Sequence, residues 1–226
     1  MELFLPHGEK LSAFLSCLLY SHSARLGNIQ KPPSRLVSSS PGGLSMRVRL
    51  QVPYVPTPEP VVRRMLTLAN VKPGELIYDL GAGDGRILSA AVKDFDAKAI
   101  GVELHESRYE AIAKRIERER LGNSAGVIQA DFFNVNLSRA DVVTLYLLTT
   151  VNSMIKPKLE RELKAGARVV SHDFPVHGWV PVYVEKVRDS KFNSHMVYVY
   201  QVPRSVKHES SSLPRAVSSM TRWRGF

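Results

Sequence analysis

The sequence predicts an α/β fold: a doubly wound, mostly parallel seven-stranded sheet that ends in an antiparallel C-terminal hairpin. Three observations predict it. Short apolar runs alternate with amphipathic stretches from residue 59 to residue 172. A glycine-rich turn joins the first apolar run to the next amphipathic stretch. After residue 180 the rhythm changes to two β-rich runs around a polar turn. Alternating strands and helices build a parallel sheet, and a closing hairpin adds an antiparallel edge.

The elements follow in order. Residues 59–70 form an amphipathic helix with Val61, Val62, Met65, Leu66 and Ala69 on one face. Lys72-Pro-Gly-Glu75 is a turn. Strands are expected at 76–80, 97–102, 126–130, 141–147 and 167–172, and helices at 85–94, 106–121 and 152–163. Gly122 is the expected stop of the helix at 106–121. The runs 182–187 and 195–202, around Arg188-Asp-Ser-Lys-Phe-Asn193, form the hairpin.

The 226 residues suffice for one domain with tails. That domain is expected over 46–203. Residues 1–45 contain Pro32-Pro33 and Ser38-Ser-Ser-Pro-Gly-Gly43, and they read as a flexible extension. Met46 offers an alternative start, in which case residues 1–45 are a gene-start artefact. Residues 204–226 are Ser-rich, with five basic side chains against one acidic, and read as a flexible basic tail. The net charge of +10 is mild over the body of the chain, so weak nucleic-acid association through the tail is the most it implies. The longest apolar stretch, Leu11 to Tyr20, is too short to span a membrane. Glu2 and Glu9 before it argue against a cleavable signal. No membrane role and a cytoplasmic location are expected. A single cysteine, Cys17, excludes an intrachain disulfide, and with scattered histidines it gives no metal-ligand spacing, so no metal is expected.

The candidate ligand site lies where a doubly wound sheet binds ligands, at the carboxyl ends of its strands. The first strand runs into Gly81-Ala-Gly-Asp-Gly-Arg86, where glycine lets the backbone turn tightly and approach a ligand. Asp79 ends that strand, and its carboxylate suits a ligand ammonium and repels a pyrophosphate. Glu103 ends the second strand, twenty positions after Gly83, where an acid can accept from both hydroxyls of a ribose. Asp131 and Phe132 end the third, where an acid can accept from an adenine amine while a ring packs on the base. Arg86 stands where a dinucleotide fingerprint has Gly or Ala. The set favours S-adenosylmethionine (SAM) over NAD. Each acid alone, Asp84 included, also reads as a helix cap.

The segments Val52-Pro-Tyr-Val-Pro-Thr-Pro58, Asp79-Leu-Gly-Ala-Gly-Asp-Gly-Arg86, Tyr146-Leu-Leu-Thr-Thr-Val-Asn152, Lys156-Pro-Lys-Leu-Glu160 and Arg168-Val-Val-Ser-His-Asp-Phe174 carry a family resemblance. Over residues 50–202 the chain resembles the archaeal (crenarchaeal) broad-specificity protein-lysine methyltransferases. These are related to the mitochondrial lysine methyltransferases of the FAM173 family, within the Rossmann-like class I SAM-dependent superfamily. The resemblance implies methyl transfer from SAM to lysine side chains of protein substrates. It implies that Tyr54, Thr57 and Pro58 fold over the methionine end of SAM, and that Asp79, Gly81 and Gly83 hold that end. It further implies Glu103 on the ribose, Asp131 and Phe132 on the adenine, and Tyr146, Thr149 and Asn152 on the acceptor side, with Tyr54 also facing the acceptor.

Some readings stay open in the sequence. Tyr54 and Tyr146 are also ordinary packing aromatics. His172-Asp173 suits proton removal or a structural pair. Trp179 lines a substrate rim or plugs the sheet edge. A methyltransferase acting on RNA or a small molecule is the rival activity. The expected segment after the fourth strand, Leu147-Leu-Thr-Thr-Val-Asn152, lacks the Asn/Asp-Pro-Pro-Tyr/Phe sequence of base-amine methyltransferases.

Overall fold

The computed structural model describes residues 54–202. The two expected tails, and the expected domain start at 46–53, lie outside the described residues. The chain runs α1 (Glu59–Leu68), β1 (Leu76–Leu80), α2 (Arg86–Phe95), β2 (Lys98–Glu103), α3 (Glu106–Arg118), β3 (Ala125–Gln129), a 3-10 turn (Phe132–Asn134), β4 (Val142–Leu145), α4 (Thr149–Glu162), β5 (Arg168–His172), β6 (Tyr183–Arg188) and β7 (Ser194–Gln201). The strands form one seven-stranded sheet in the order β3-β2-β1-β4-β5-β7-β6. The first five are parallel, and β7 enters antiparallel between β5 and β6. The order reverses between β1 and β2 on one side and β4 on the other, so the crevice above β1 is the ligand-binding position of such a sheet.

Strand side chains alternate between two cores, as the period of two requires. Ile77, Ala99, Val142 and Val170 face α1, α2 and α3. Tyr78, Leu80, Val102, Val143 and Leu145 face α4 and the loop holding Val135 and Leu137. Both faces of the central strands are covered, which explains why β1 and β4 read as continuous apolar runs. The two polar exceptions, Asp79 on β1 and Thr144 on β4, are register partners.

Several boundaries differ from expectation, three of them for identifiable reasons. β4 ends at Leu145, not 147, because Tyr146 turns to pack on His172, with ring centroids 3.8 Å apart, and Leu147 turns over Gly81. α4 therefore starts at Thr149 instead of 152. Helix α3 stops at Arg118, and Arg120, not Gly122, takes the left-handed turn (φ 57°). Arg120 N–H bonds Glu117 O and Leu121 N–H bonds Ile116 O, which closes the helix end while Leu121 is buried beside it. Trp179 plugs the sheet: it is buried against Tyr200 and donates from Nε1 to Glu160 at 2.7 Å.

An exposed arginine in left-handed backbone carries a strain that glycine does not. Arg120→Gly is expected to stabilise the fold by about 0.5–1 kcal/mol. Thermal unfolding should show a rise of a few degrees in Tm.

Candidate active site

A single cleft opens above β1, lined by Tyr54, Thr57, Asp79, Gly81, Gly83, Glu103, Phe132 and Tyr146. Eight site residues expected from the sequence therefore meet in one place.

The floor is Asp79. Its Oδ1 accepts from the Thr144 hydroxyl at 2.7 Å across the β1–β4 pair. Burial, then the Asp84 and Glu103 carboxylates nearby, push its pKa up to about 7, against the single opposing bond from Thr144. A charge removed from water needs a partner of opposite sign. The partner here is only a hydroxyl and the charged neighbours are acids, so the site fits a ligand ammonium.

Asp84, five residues on, is in the opposite condition. Arg86 grips it through Nε at 2.9 Å and Nη2 at 2.8 Å, and Arg115 Nη1 lies 3.3 Å away. Burial raises its pKa, but the bonds and charge of Arg86, with Arg115, outweigh that and hold the carboxyl below its usual range. The loop thus contains one neutralised acid and one waiting acid.

Glu103 ties two loops together. One oxygen accepts from Gly83 N–H at 3.1 Å and the other from His105 N–H at 2.9 Å, while Arg108 Nε stands at 3.2 Å. The capping alternative and the ribose alternative share this geometry, because a carboxylate that gathers two loop amides also faces the cleft they enclose.

The roof is the segment from Tyr54 to Thr57. The Tyr54 ring lies on Gly83, where an added Cβ would come within 2.7 Å of Cε2, and Gly83 has φ 60°. Both facts demand glycine there. Arg108 sits 5.4 Å from the Tyr54 ring centroid, and Arg86 Nη1 donates to Thr57 O at 2.8 Å. Arg86 and Arg108 thus staple the roof to the loops below. Neither was singled out as a site residue in the sequence. Arg86 lies inside the glycine motif and could have been found by asking what neutralises Asp84.

Four expected site residues stand elsewhere. Pro58 occupies the N-cap position of α1, its carbonyl accepting from Val61 and Val62. Asp131 caps the 3-10 turn by accepting from Phe133 N–H at 3.0 Å, so its structure matches the capping alternative, whereas Phe132 reaches the cleft. Thr149 starts α4, and its carbonyl accepts from Ser153. Asn152 does not reach the cleft at all. It is fully buried, donating Nδ2 to Phe174 O at 2.9 Å and to Ser171 Oγ at 3.3 Å. An amide so enclosed positions the loop after β5 through Nδ2, while its Oδ1 has no hydrogen-bond partner. Tyr146 does line the cleft, its hydroxyl 3.5 Å from Asp173 Oδ2.

Asp79 yields a prediction of opposite effects. In the folded protein its pKa is about 7 against 3.8 ordinarily. Ionising it therefore costs nothing below pH 3.8, costs progressively more up to pH 7, and costs most above. Asp79→Asn keeps the Oδ1 acceptor for Thr144 and removes that cost. It is expected to stabilise the ligand-free protein at pH 8 by on the order of 1–3 kcal/mol, with little change at pH 4. Binding of SAM should weaken about 10- to 100-fold at pH 8 through loss of a charge-assisted bond. Paired Tm and calorimetric titrations at the two pH values check both.

Four likenesses place the chain. The ANTKMT methyltransferase domain matches residues 79–183. A protein-lysine N-methyltransferase of Saccharolobus islandicus is 52% identical over 152 residues, which cover 67% of this chain and 94% of that protein. The adenine nucleotide translocase lysine N-methyltransferase of Mus musculus is 38% identical over 146 residues, 64% of this chain and 62% of that protein. An RNA methyltransferase from Salinibacter ruber, solved with S-adenosyl-L-homocysteine, superposes with a TM-score of 0.64 at 36% identity, covering 70% of this chain and 100% of that one. The chain spans nearly all of the archaeal relative and under two thirds of the mouse one. With a cleft whose floor fits an ammonium and whose glycine loop admits a close ligand, this chain belongs to the family of SAM-dependent class I methyltransferases that includes the archaeal protein-lysine N-methyltransferase.

Proposed function

We propose that this enzyme methylates lysine side chains on proteins and accepts more than one protein. The observation that carries the reading is the 52% identity, over nearly its whole length, to a protein named for lysine methylation. The cleft supports it in two ways. The arginines that line it are committed inward: Arg86 to Asp84 and Arg108 to Glu103. An RNA phosphate would find them already neutralised, and phosphate contacts are what RNA-binding surfaces supply in number. Its rim is apolar instead, with Tyr54, Val55 and Leu104 exposed around the mouth. Such a rim suits the aliphatic stem of a lysine, which packs on apolar surface while its amine reaches inward.

SAM, when bound, supplies an activated methyl group on a sulfonium. The chain's own residues then position and enclose. Asp79 offers its carboxylate to the ammonium, Glu103 its oxygens to the ribose hydroxyls, and Phe132 a face to the base. Tyr54 from the roof and Tyr146 from the end of β4 wall the opening and keep water from the reacting atoms. Burial, with the Asp173 charge next, raises the Tyr146 pKa, so its phenol stays neutral across the working range. A neutral phenol can accept from an amine or face it as an aromatic wall. No dedicated base is required, because a lysine placed against a positive sulfonium loses its proton more readily.

The RNA reading retains one specific support, the name of the Salinibacter ruber protein. Incubating the full-length chain with SAM and cell-extract protein, then mapping mass shifts by peptide mass spectrometry, separates the two. Lysine shifts of one or more methyl groups on several proteins are expected. Methylated nucleosides after nuclease digestion, with no lysine shift, would contradict the assignment. Tyr146→Ala should lower kcat by about 10-fold or more while SAM affinity changes less than about threefold, since it walls the acceptor side.

A further inference from the structure

Behind the cleft, three ligand-type atoms converge. His172 Nε2 lies 3.0 Å from His195 Nδ1 and 3.2 Å from Asp173 Oδ2, and His195 Nδ1 lies 3.3 Å from the same Asp173 oxygen. His172 ends β5, Asp173 follows it, and His195 is the second residue of β7, its antiparallel neighbour. We propose that His172, Asp173 and His195 form a binding site for one divalent transition-metal ion of the zinc class.

The triangle has the right size. A metal bonded at about 2.0–2.1 Å to each of three atoms sets them about 2.9–3.0 Å apart at right angles and about 3.3–3.4 Å apart at tetrahedral angles. All three observed edges fall inside that span. The donor set has the right chemistry too, since two imidazoles and a carboxylate suit zinc, iron(II) or cobalt(II) and fit magnesium or calcium poorly.

The outer atoms meet the needs of a metal site fully at His172 and partly at His195. A ligating histidine turns its other ring nitrogen to an acceptor, which fixes the tautomer and aims the lone pair. His172 Nδ1 faces the Thr57 hydroxyl at 3.1 Å, while His195 Nε2 lies 3.5 Å from Asp189 Oδ2, close enough for charge attraction but with no hydrogen bond formed. The second oxygen of Asp173 accepts from Met196 N–H at 2.8 Å, leaving the first for the centre. Asp173 reaches this pose from left-handed backbone (φ 56°), which Asp adopts more readily than most residues. His172 is fully buried and His195 largely so. Two imidazole nitrogens this close must be bridged by something, either a shared proton or a cation. The third edge, to a carboxylate near-equidistant from both, completes a three-donor set around the point that a cation would occupy.

The site borders the cleft through Thr57 and Tyr146. Tyr146 packs on the His172 ring, and its hydroxyl stands 3.5 Å from the Asp173 oxygen of the triangle. A metal there would rigidify the acceptor-side wall without entering the SAM position. The inference does not depend on the acceptor being lysine.

The test uses untagged full-length protein, stripped with a chelator and titrated with Co2+ and then Zn2+. One equivalent of Co2+ per chain should bind with the intense visible absorption of a four- or five-coordinate ion, and Zn2+ should displace it and raise Tm. His195→Ala, and separately Asp173→Asn, should lose at least tenfold in Co2+ affinity while circular dichroism shows a folded chain. Should His195→Ala fail to fold, the milder Asp173→Asn carries the test. Three results each overturn the site: no stoichiometric uptake, the weak spectrum of a hydrated octahedral ion, or affinity unchanged in the folded variants. The first leaves a shared proton as the bridge, and the last places the metal on other histidines.

Discussion

A carboxylate without a cation is the constraint around which this molecule is organised. Asp79 ends β1 with its side chain withdrawn from water, one hydroxyl to accept from and two acids nearby. A fold does not keep such a group for stability, because an apolar side chain or an amide at that position costs less. What justifies it is a ligand that arrives carrying the missing charge. The sheet topology adds the reason for the location: β1 sits at the point where strand order reverses, so no crossover helix roofs its carboxyl end.

Everything around Asp79 keeps competing cations away. Two arginines line the cleft, a third stands behind Asp84, and each is occupied. Arg86 and Arg115 neutralise Asp84, and Arg108 stands against Glu103 and the Tyr54 ring. The same side chains hold the roof down, since Arg86 also donates to Thr57 O. Charge bookkeeping and mechanical closure are thus one network, and the rim left over is apolar. A site that takes a cationic cofactor and presents apolar surface outward suits a long aliphatic amine more than a polyanion.

How much of this was legible in the sequence depends on how far apart the partners lie. Asp79, Gly81, Gly83 and Glu103 could be placed because strand ends and the glycine loop fix them locally. Phe132 followed from the same reasoning, but Asp131 did not: capping the turn that begins with Phe132 and holding an adenine need the same residue at the same spot, and only coordinates show which bond forms. Asn152 was beyond reach, since its amide is defined by Ser171 and Phe174 across the α4–β5 packing. Arg120 instead of Gly122 ends α3 because burying Leu121 outweighs the preference of glycine for left-handed backbone. His195 is invisible as a partner of His172 from its position in the chain, because only the antiparallel insertion of β7 beside β5 brings the two together. Those pairings are long-range, and composition and periodicity carry no record of them.

Proton release on ligand binding tests the central claim most directly. S-adenosyl-L-homocysteine, which bears the same ammonium and is chemically stable, is titrated into the full-length protein by calorimetry in two buffers of different ionisation enthalpy, from pH 5 to pH 9. With Asp79 near pKa 7 in the free protein and ionised in the complex, binding should release close to one proton near pH 6 and almost none near pH 8.5. Asp79→Asn should release none at either. Binding that is tight, yet shows no linked proton between pH 5 and pH 8, would mean that Asp79 does not meet the ammonium.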